Sequence, residues 1–260
     1  MELRMDGRKA LITGASLGLG RAMAERFAGA GAEVAIVARR SDILDEARAE
    51  IEQKTGGRVA CVAGDVSTAE GCQAAYEAAG EAMGQVDVLV NNAGSSQRGP
   101  FAEITDEVWQ ADIDLKLFAA IRLCRLVLPD MRQRKWGRVI NILNTGAKAP
   151  PAEGAPTAVT RAAGMALTKV MAKEVVADNV LVNALLVGRI ESDQWVRHHA
   201  EEDKDRTLDD FYAEMGATLP MGRLGTAEEF ANAACFLASE QGSYISGVAL
   251  NVDGGLCPVV

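Results

Sequence analysis

Three glycines set the first chemistry open to this chain. In Thr13-Gly14-Ala15-Ser16-Leu17-Gly18-Leu19-Gly20 they fall where a short apolar run ends and a helical pattern begins. Glycine lets the backbone turn tightly there and approach a ligand. The N–H groups of the helix start, with their aligned peptide dipoles, then favour a phosphate. A glycine-rich turn alone is a weak signal, but this one comes directly after the first strand pattern of the chain.

Further segments stand where such a site needs them. Asp65-Val66 follows the third apolar run, Asn91-Asn92-Ala93-Gly94 the fourth, and Asn251-Val252-Asp253-Gly254-Gly255 lies near the end, with Gly137-Arg138-Val139-Ile140-Asn141-Ile142 between. Together these motifs resemble the short-chain dehydrogenase/reductase family over essentially the whole chain. The resemblance implies a single Rossmann-type domain that binds a nicotinamide dinucleotide. It assigns Gly14, Ser16, Gly18 and Leu19 to the pyrophosphate and its ribose, and Asp65 and Val66 to the adenine. Asn91, Ala93 and Gly94 fall on the adenosine ribose side, and Ile190 and Ser192 at the nicotinamide carboxamide. The proline usual before Gly188 is Val187 here.

The second apolar run ends Val37-Ala38-Arg39-Arg40, with no carboxylate to grip a free ribose 2′-hydroxyl. Arg39 instead offers a forked, charge-assisted contact to a 2′-phosphate, which favours NADP over NAD. Position 17, basic in many NADP-preferring relatives, is leucine.

The proton-transfer half departs from the family. Its reaction moves a hydride between nicotinamide and a carbonyl or alcohol carbon, while a tyrosine tuned by a lysine exchanges the proton. A serine and an asparagine assist. The flanking residues align these positions with Thr157, Arg161, Asn144 and Asp114, and all are non-standard. An aliphatic hydroxyl is far less acidic than a phenol, whose pKa is about 10. Arginine keeps a cation able to bond the nicotinamide ribose, so Arg161 also counts among the cofactor contacts, but it does not deprotonate. Asp114 and Arg161 are expected to pair across the vacated site, and Asn144 to offer a hydrogen bond to a substrate oxygen. Lys148 and Tyr212 are the first candidates for a substitute proton source, ahead of Glu153, His198 and His199. Two readings are open: an oxidoreductase with a non-standard proton relay, or an inactive NADP-binding pseudoenzyme that senses cofactor or partners an active relative.

Periodicity supplies the scaffold for these residues. Apolar runs at 9–13, 33–38, 58–63, 86–90, 138–143, 180–185 and 248–252 alternate with helical patterns at 20–30, 43–54, 69–83, 106–134, 158–177 and 227–237. That rhythm predicts an α/β fold, a doubly wound, seven-stranded parallel sheet with helices on both faces, as one domain over 1–260. An insertion at about 191–219, with the charge run His198-His199-Ala200-Glu201-Glu202-Asp203-Lys204-Asp205-Arg206, reads as a solvated helical flap on the substrate side.

Composition narrows the partners. A net charge of −9 disfavours nucleic acid and membrane surfaces. Five cysteines without CxxC or Cys/His spacing point to reduced thiols, with neither a disulfide framework nor a metal site. No signal peptide is evident and no stretch is apolar for the roughly 18 residues of a membrane span, so a cytoplasmic protein acting on an unidentified small molecule is expected. The family resemblance adds a homo-oligomer, a tetramer, with the helix near Thr157 packing against its counterpart.

Overall fold

The structure is a computed structural model that describes residues 2–202 and 206–260, the side chains of Asp193, Gln194, Arg197 and Glu202 aside. Asp203-Lys204-Asp205 of the expected charge run lies outside the described residues. Seven parallel strands form one sheet in the order β3-β2-β1-β4-β5-β6-β7. They are β1 (Lys9–Thr13), β2 (Glu33–Ala38), β3 (Val59–Ala63), β4 (Val88–Asn91), β5 (Gly137–Asn144), β6 (Val180–Val187) and β7 (Ala249–Val252). The expected doubly wound sheet is therefore present, with strand ends shifted by one or two residues. The chain order reverses beside β1, so the loops after β1 and β4 open a crevice at the C-terminal edge, where ligands of such sheets bind.

Alternation along each strand divides the core between the two faces of the sheet. Ala10, Ile12, Val34 and Ile36 face one layer with Phe27 and Met23 of α1 (Gly18–Gly29), Leu44 of α2 (Ser41–Thr55) and Phe230 of α9 (Ala227–Ala238). Leu11, Ala35 and Val37 face the other, with Cys72 of α3 (Ala69–Met83) and Leu123 of α5 (Ala119–Gln133). Met171 of α6 (Thr157–Val175) closes that layer. The insertion folds as two helices, α7 (Asp193–Glu202) and α8 (Leu208–Ala217).

One helix departs from expectation. The pattern at 106–134 reads as a continuous helix, yet it divides into α4 (Asp106–Ile113), a π-helical turn at Asp114–Phe118, and α5. A π-turn adds a residue to the helical register and rotates the next stretch of helix, a distortion that recurs at functional sites. Here it carries the buried Lys116. Periodicity cannot register such a turn, because the residues on either side keep their helical spacing.

At the opposite edge of the sheet Asp87, fully buried, anchors the entry to β4. Its carboxylate accepts from Arg134 Nη1 at 2.5 Å, Gln85 Nε2 at 2.8 Å and the backbone N–H of Lys9 at 3.1 Å. Removing one partner of such a buried pair strands the other charge and leaves the Lys9 amide without its acceptor. Asp87→Ala is expected to destabilise the fold by about 3 kcal/mol, seen as a lower urea midpoint with an unchanged slope.

Candidate active site

The loops after β1 and β4 are stitched together by one hydroxyl. Thr13 Oγ1 accepts from the backbone N–H groups of Asn92 and Ala93, both at 3.0 Å, while Asn92 Nδ2 donates to the carbonyls of Thr13 and Gly14 at 2.9 Å. This brings the backbone at Gly14 so close that a Cβ there would sit 2.9 Å from Ala93 Cα, and Gly14 also has φ of +64°. Leu17 precedes α1 without a side-chain cap, whereas Thr68, Thr105, Thr207 and Thr226 cap α3, α4, α8 and α9. The first-turn amides of α1 are thus left for a ligand. Thr13 and Asn92 carry this geometry, although the glycines were the visible signal.

A cleft of about 780 Å³ runs from this turn to the start of α6. Gly14, Ser16, Gly18, Leu19, Gly94, Ile190 and Ser192 line it, as do Asn144, Thr157 and Arg161. Arg39 and Asp65 stand exposed beyond it at the ends of β2 and β3. The Asp65 carboxyl lies below the ordinary carboxylate range, held there first by the backbone N–H of Ser67 at 3.0 Å and more weakly by the charge of Arg39. A carboxylate and a guanidinium therefore face the same end of the site.

Three of the expected contact residues also have groups tied into the fold. Asn91 turns its side chain into the core, donating to Asn141 Oδ1 at 2.8 Å, and Asn141 in turn donates to Thr168 of α6 at 2.9 Å. Val66 is buried in the layer beneath, its carbonyl accepting from the Cys72 thiol at 3.1 Å. The N–H of Ala93 is taken by Thr13.

At the far end of the cleft the expected pairing is corrected. Asp114 does not meet Arg161: it accepts from Gln110 at 2.9 Å and from Arg122 at 3.5 Å, on the outer side of the π-turn. The side chain brought to Thr157 is Lys116, whose Nζ donates to Thr157 Oγ1 at 2.7 Å and forms a buried ion pair with Asp112. Asp112 Oδ2 also accepts from Thr160 Oγ1 at 2.6 Å. Thr157 Oγ1 further accepts from the backbone N–H of Gln97 at 2.9 Å. Its own proton faces either Asp112 Oδ1, at a long 3.5 Å, or an oxygen in the cleft.

Burial first, and the Arg161 charge second, pull the Lys116 ammonium down to about 8, against the opposing pull of Asp112. Arg161 is itself lowered to about 10 by burial, and Asp112 resists that shift. Its Nη1 donates to the carbonyl of Ile142 at 2.8 Å. A Cβ on Gly94 would stand 2.5 Å from Arg161 Nη2 and 3.7 Å from Lys116 Cε, so a side chain there would push the Arg161 guanidinium aside. Asn144 Oδ1 is buried without a hydrogen-bond partner among the described residues, and the residue lines the cleft.

The suggested proton sources lie off this site. Lys148 Nζ donates to the carbonyl of Ala249 at 2.8 Å, and Tyr212 packs beside Phe211 on α8. Neither is among the cleft-lining residues, nor are Glu153, His198 and His199. Among the described residues no group of acids, cysteines or histidines is placed to hold a metal ion, and no helix is long and apolar enough to cross a membrane.

Residues 14–257 match the family described as enoyl-(acyl carrier protein) reductase. A 3-oxoacyl-[acyl-carrier-protein] reductase of Aquifex aeolicus is 32% identical over 256 residues, covering 98% of this chain and 100% of its own length. An uncharacterized oxidoreductase of Bacillus subtilis is 33% identical over 263 residues, covering 98% of both. Among solved structures, L-sorbose reductase from Gluconobacter frateurii, complexed with NADPH and L-sorbose, matches over 100% of both chains with a TM-score of 0.95 and 38% identity. The 3-oxoacyl (acyl-carrier-protein) reductase of Agrobacterium tumefaciens with NADP bound matches with a TM-score of 0.89 and 32% identity, over 97% of this chain and 95% of the other. Matches of this length, together with the strand order and the glycine turn, make the chain a member of the short-chain dehydrogenase/reductase family.

Proposed function

We propose that this protein is an NADP(H)-dependent oxidoreductase acting on a carbonyl or alcohol carbon, with the proton carried by Lys116 through Thr157. The observation that carries the reading is the 2.7 Å contact between Lys116 Nζ and Thr157 Oγ1, behind the wall of the cleft that the glycine turn opens.

The residues present fit the cofactor. The uncapped start of α1 with Gly14, Ser16, Gly18 and Leu19 takes the pyrophosphate, Asp65 the adenine end, and Arg39 the 2′-phosphate. Arg161, Ile190 and Ser192 take the nicotinamide end. When bound, the cofactor supplies or receives the hydride. Two similar reductases were solved with NADPH and NADP, which supports the same preference here.

The chain's own residues then handle the proton. Asn144 holds the substrate oxygen beside Thr157. In reduction that oxygen takes the Thr157 hydroxyl proton, and Thr157 takes one from the Lys116 ammonium, which solvent later restores. Asp112 keeps Lys116 and Thr160 in place and compensates the cation within the buried site. Lowering an ammonium toward neutrality is what a proton donor needs, since transfer works best from a group whose pKa lies near the working pH. A binding-only protein gains nothing from such a group, which favours turnover over the pseudoenzyme reading.

The oligomer expected from the family belongs to this proposal. Val159 and Val170 on α6 remain exposed at 53% and 55%, as an apolar face for a second copy requires. Sedimentation as a tetramer is expected, and a monomer at micromolar concentration contradicts it.

Three outcomes test the chemistry. Lys116→Arg keeps the charge but cannot yield a proton, so kcat for reduction is expected to fall by about 10²- to 10⁴-fold with NADPH binding unchanged. The donor must be protonated, so kcat for reduction in the parent stays level below the Lys116 value of about 8 and falls above it, while oxidation rises through the same pH. Arg39→Ala is expected to weaken NADPH by about tenfold or more with NADH unaffected, read by fluorescence titration.

A further inference from the structure

The chain carries a net charge of −9, yet the cleft is cationic. Among the described residues, the charged side chains that line it are Arg98, Arg161 and Arg189, with no aspartate or glutamate. Arginines on the outer surface have acidic partners, among them Arg21 with Glu50, Arg132 with Asp178 and Arg223 with Glu229. The three in the cleft form no ion pair with any described residue. Arg161 is committed to the Ile142 carbonyl beneath Gly94. Arg98 and Arg189 have no side-chain hydrogen-bond acceptor among the described residues.

Both are held in place by backbone. Arg98 forms a bridge with Pro156, and its neighbour Gln97 exchanges two contacts with Thr157, so the guanidinium stem starts beside the reacting hydroxyl and far along the cleft from the glycine turn. Arg189 follows β6, its carbonyl accepting from the N–H of Gly225 at 3.0 Å, and its guanidinium lies over the Trp195 ring at 4.9 Å. It is half-buried, and burial first, then the charge of Arg98, lower its pKa. Arg98 is exposed and Arg189 half-buried, both line one cleft, and no carboxylate among the described residues of its wall neutralises them, so an anion entering there meets two guanidinium donors.

We infer that the substrate carries an oxyanion, a carboxylate or a phosphate, bound between Arg98 and Arg189 while its carbonyl meets Asn144 and Thr157. Forked guanidinium donors suit both anions, and a stacked arginine loses little freedom on binding. The inference rests on the oxidoreductase reading for what the substrate undergoes, but not for what the site binds.

The test therefore separates binding from turnover. Protein loaded with NADP⁺, which cannot deliver a hydride, is titrated calorimetrically with two matched pairs: 4-oxopentanoate against its methyl ester, and dihydroxyacetone phosphate against dihydroxyacetone. At least one anion is expected to bind about tenfold or more tighter than its neutral partner, and the pair that discriminates identifies the anion. Arg98→Gln and Arg189→Gln should each erase that difference with NADP⁺ affinity unchanged. Equal binding within both pairs overturns the inference, as does an equal loss of NADP⁺ affinity in the variants, which would assign the guanidiniums to the cofactor phosphates. Discriminating binding with no NADPH oxidation by either anion leaves the anion site standing and sinks the oxidoreductase reading instead.

Discussion

The ion pair between Asp112 and Lys116 is the constraint around which the active end of this molecule is arranged. Two charges taken out of water are costly unless every remaining donor and acceptor is met, and a buried pair is weak evidence of stability by itself. Here the demand is answered from three elements. Thr157 and Thr160 come from α6, and Gly94 folds the loop after β4 over the lysine stem. The π-turn at Asp114–Phe118 interrupts the long helix where Lys116 enters. Loss of either charge would strand the other, so the helix distortion, the threonines and the glycine form one unit.

That unit also accounts for what the sequence made legible and what it did not. Alternating apolar runs and helical patterns are set by local burial, and they foretold every strand to within a few residues. The glycine turn was equally plain, because its conformational demand falls on residues that show it. Lys116 was not. It sits in the π-turn, which shifts the helical register by a residue, so counting along the chain drew attention to Asp114, two residues away and on the outer side. The side-chain direction of Asn91 was hidden for a related reason: it belongs to a motif, but the pleat turns its side chain toward Asn141 and the core. Thr13 and Asn92 carry no signal of their own, since their work is done by contacts about eighty residues apart in the chain.

The charge distribution repeats this lesson at larger scale. The chain is acidic as a whole, yet bulk charge says nothing about the sign of a cleft. Arg98, Arg161 and Arg189 come from three different loops and helices, and only the sheet brings them to one opening. Among the described residues no carboxylate lines the same opening. Burial first, and the Arg161 charge second, lower the Lys116 ammonium, so one of the cleft arginines acts on the buried lysine as well.

The central claim is that Lys116 is poised to give up a proton near neutral pH. Carbon-13 NMR of its Cε, assigned by disappearance of the resonance in Lys116→Arg, measures this directly across a pH titration. The account predicts a midpoint at about 8. A midpoint at the ordinary lysine value of about 10.4 would contradict it, and would leave Lys116 as a fixed cation rather than a proton donor.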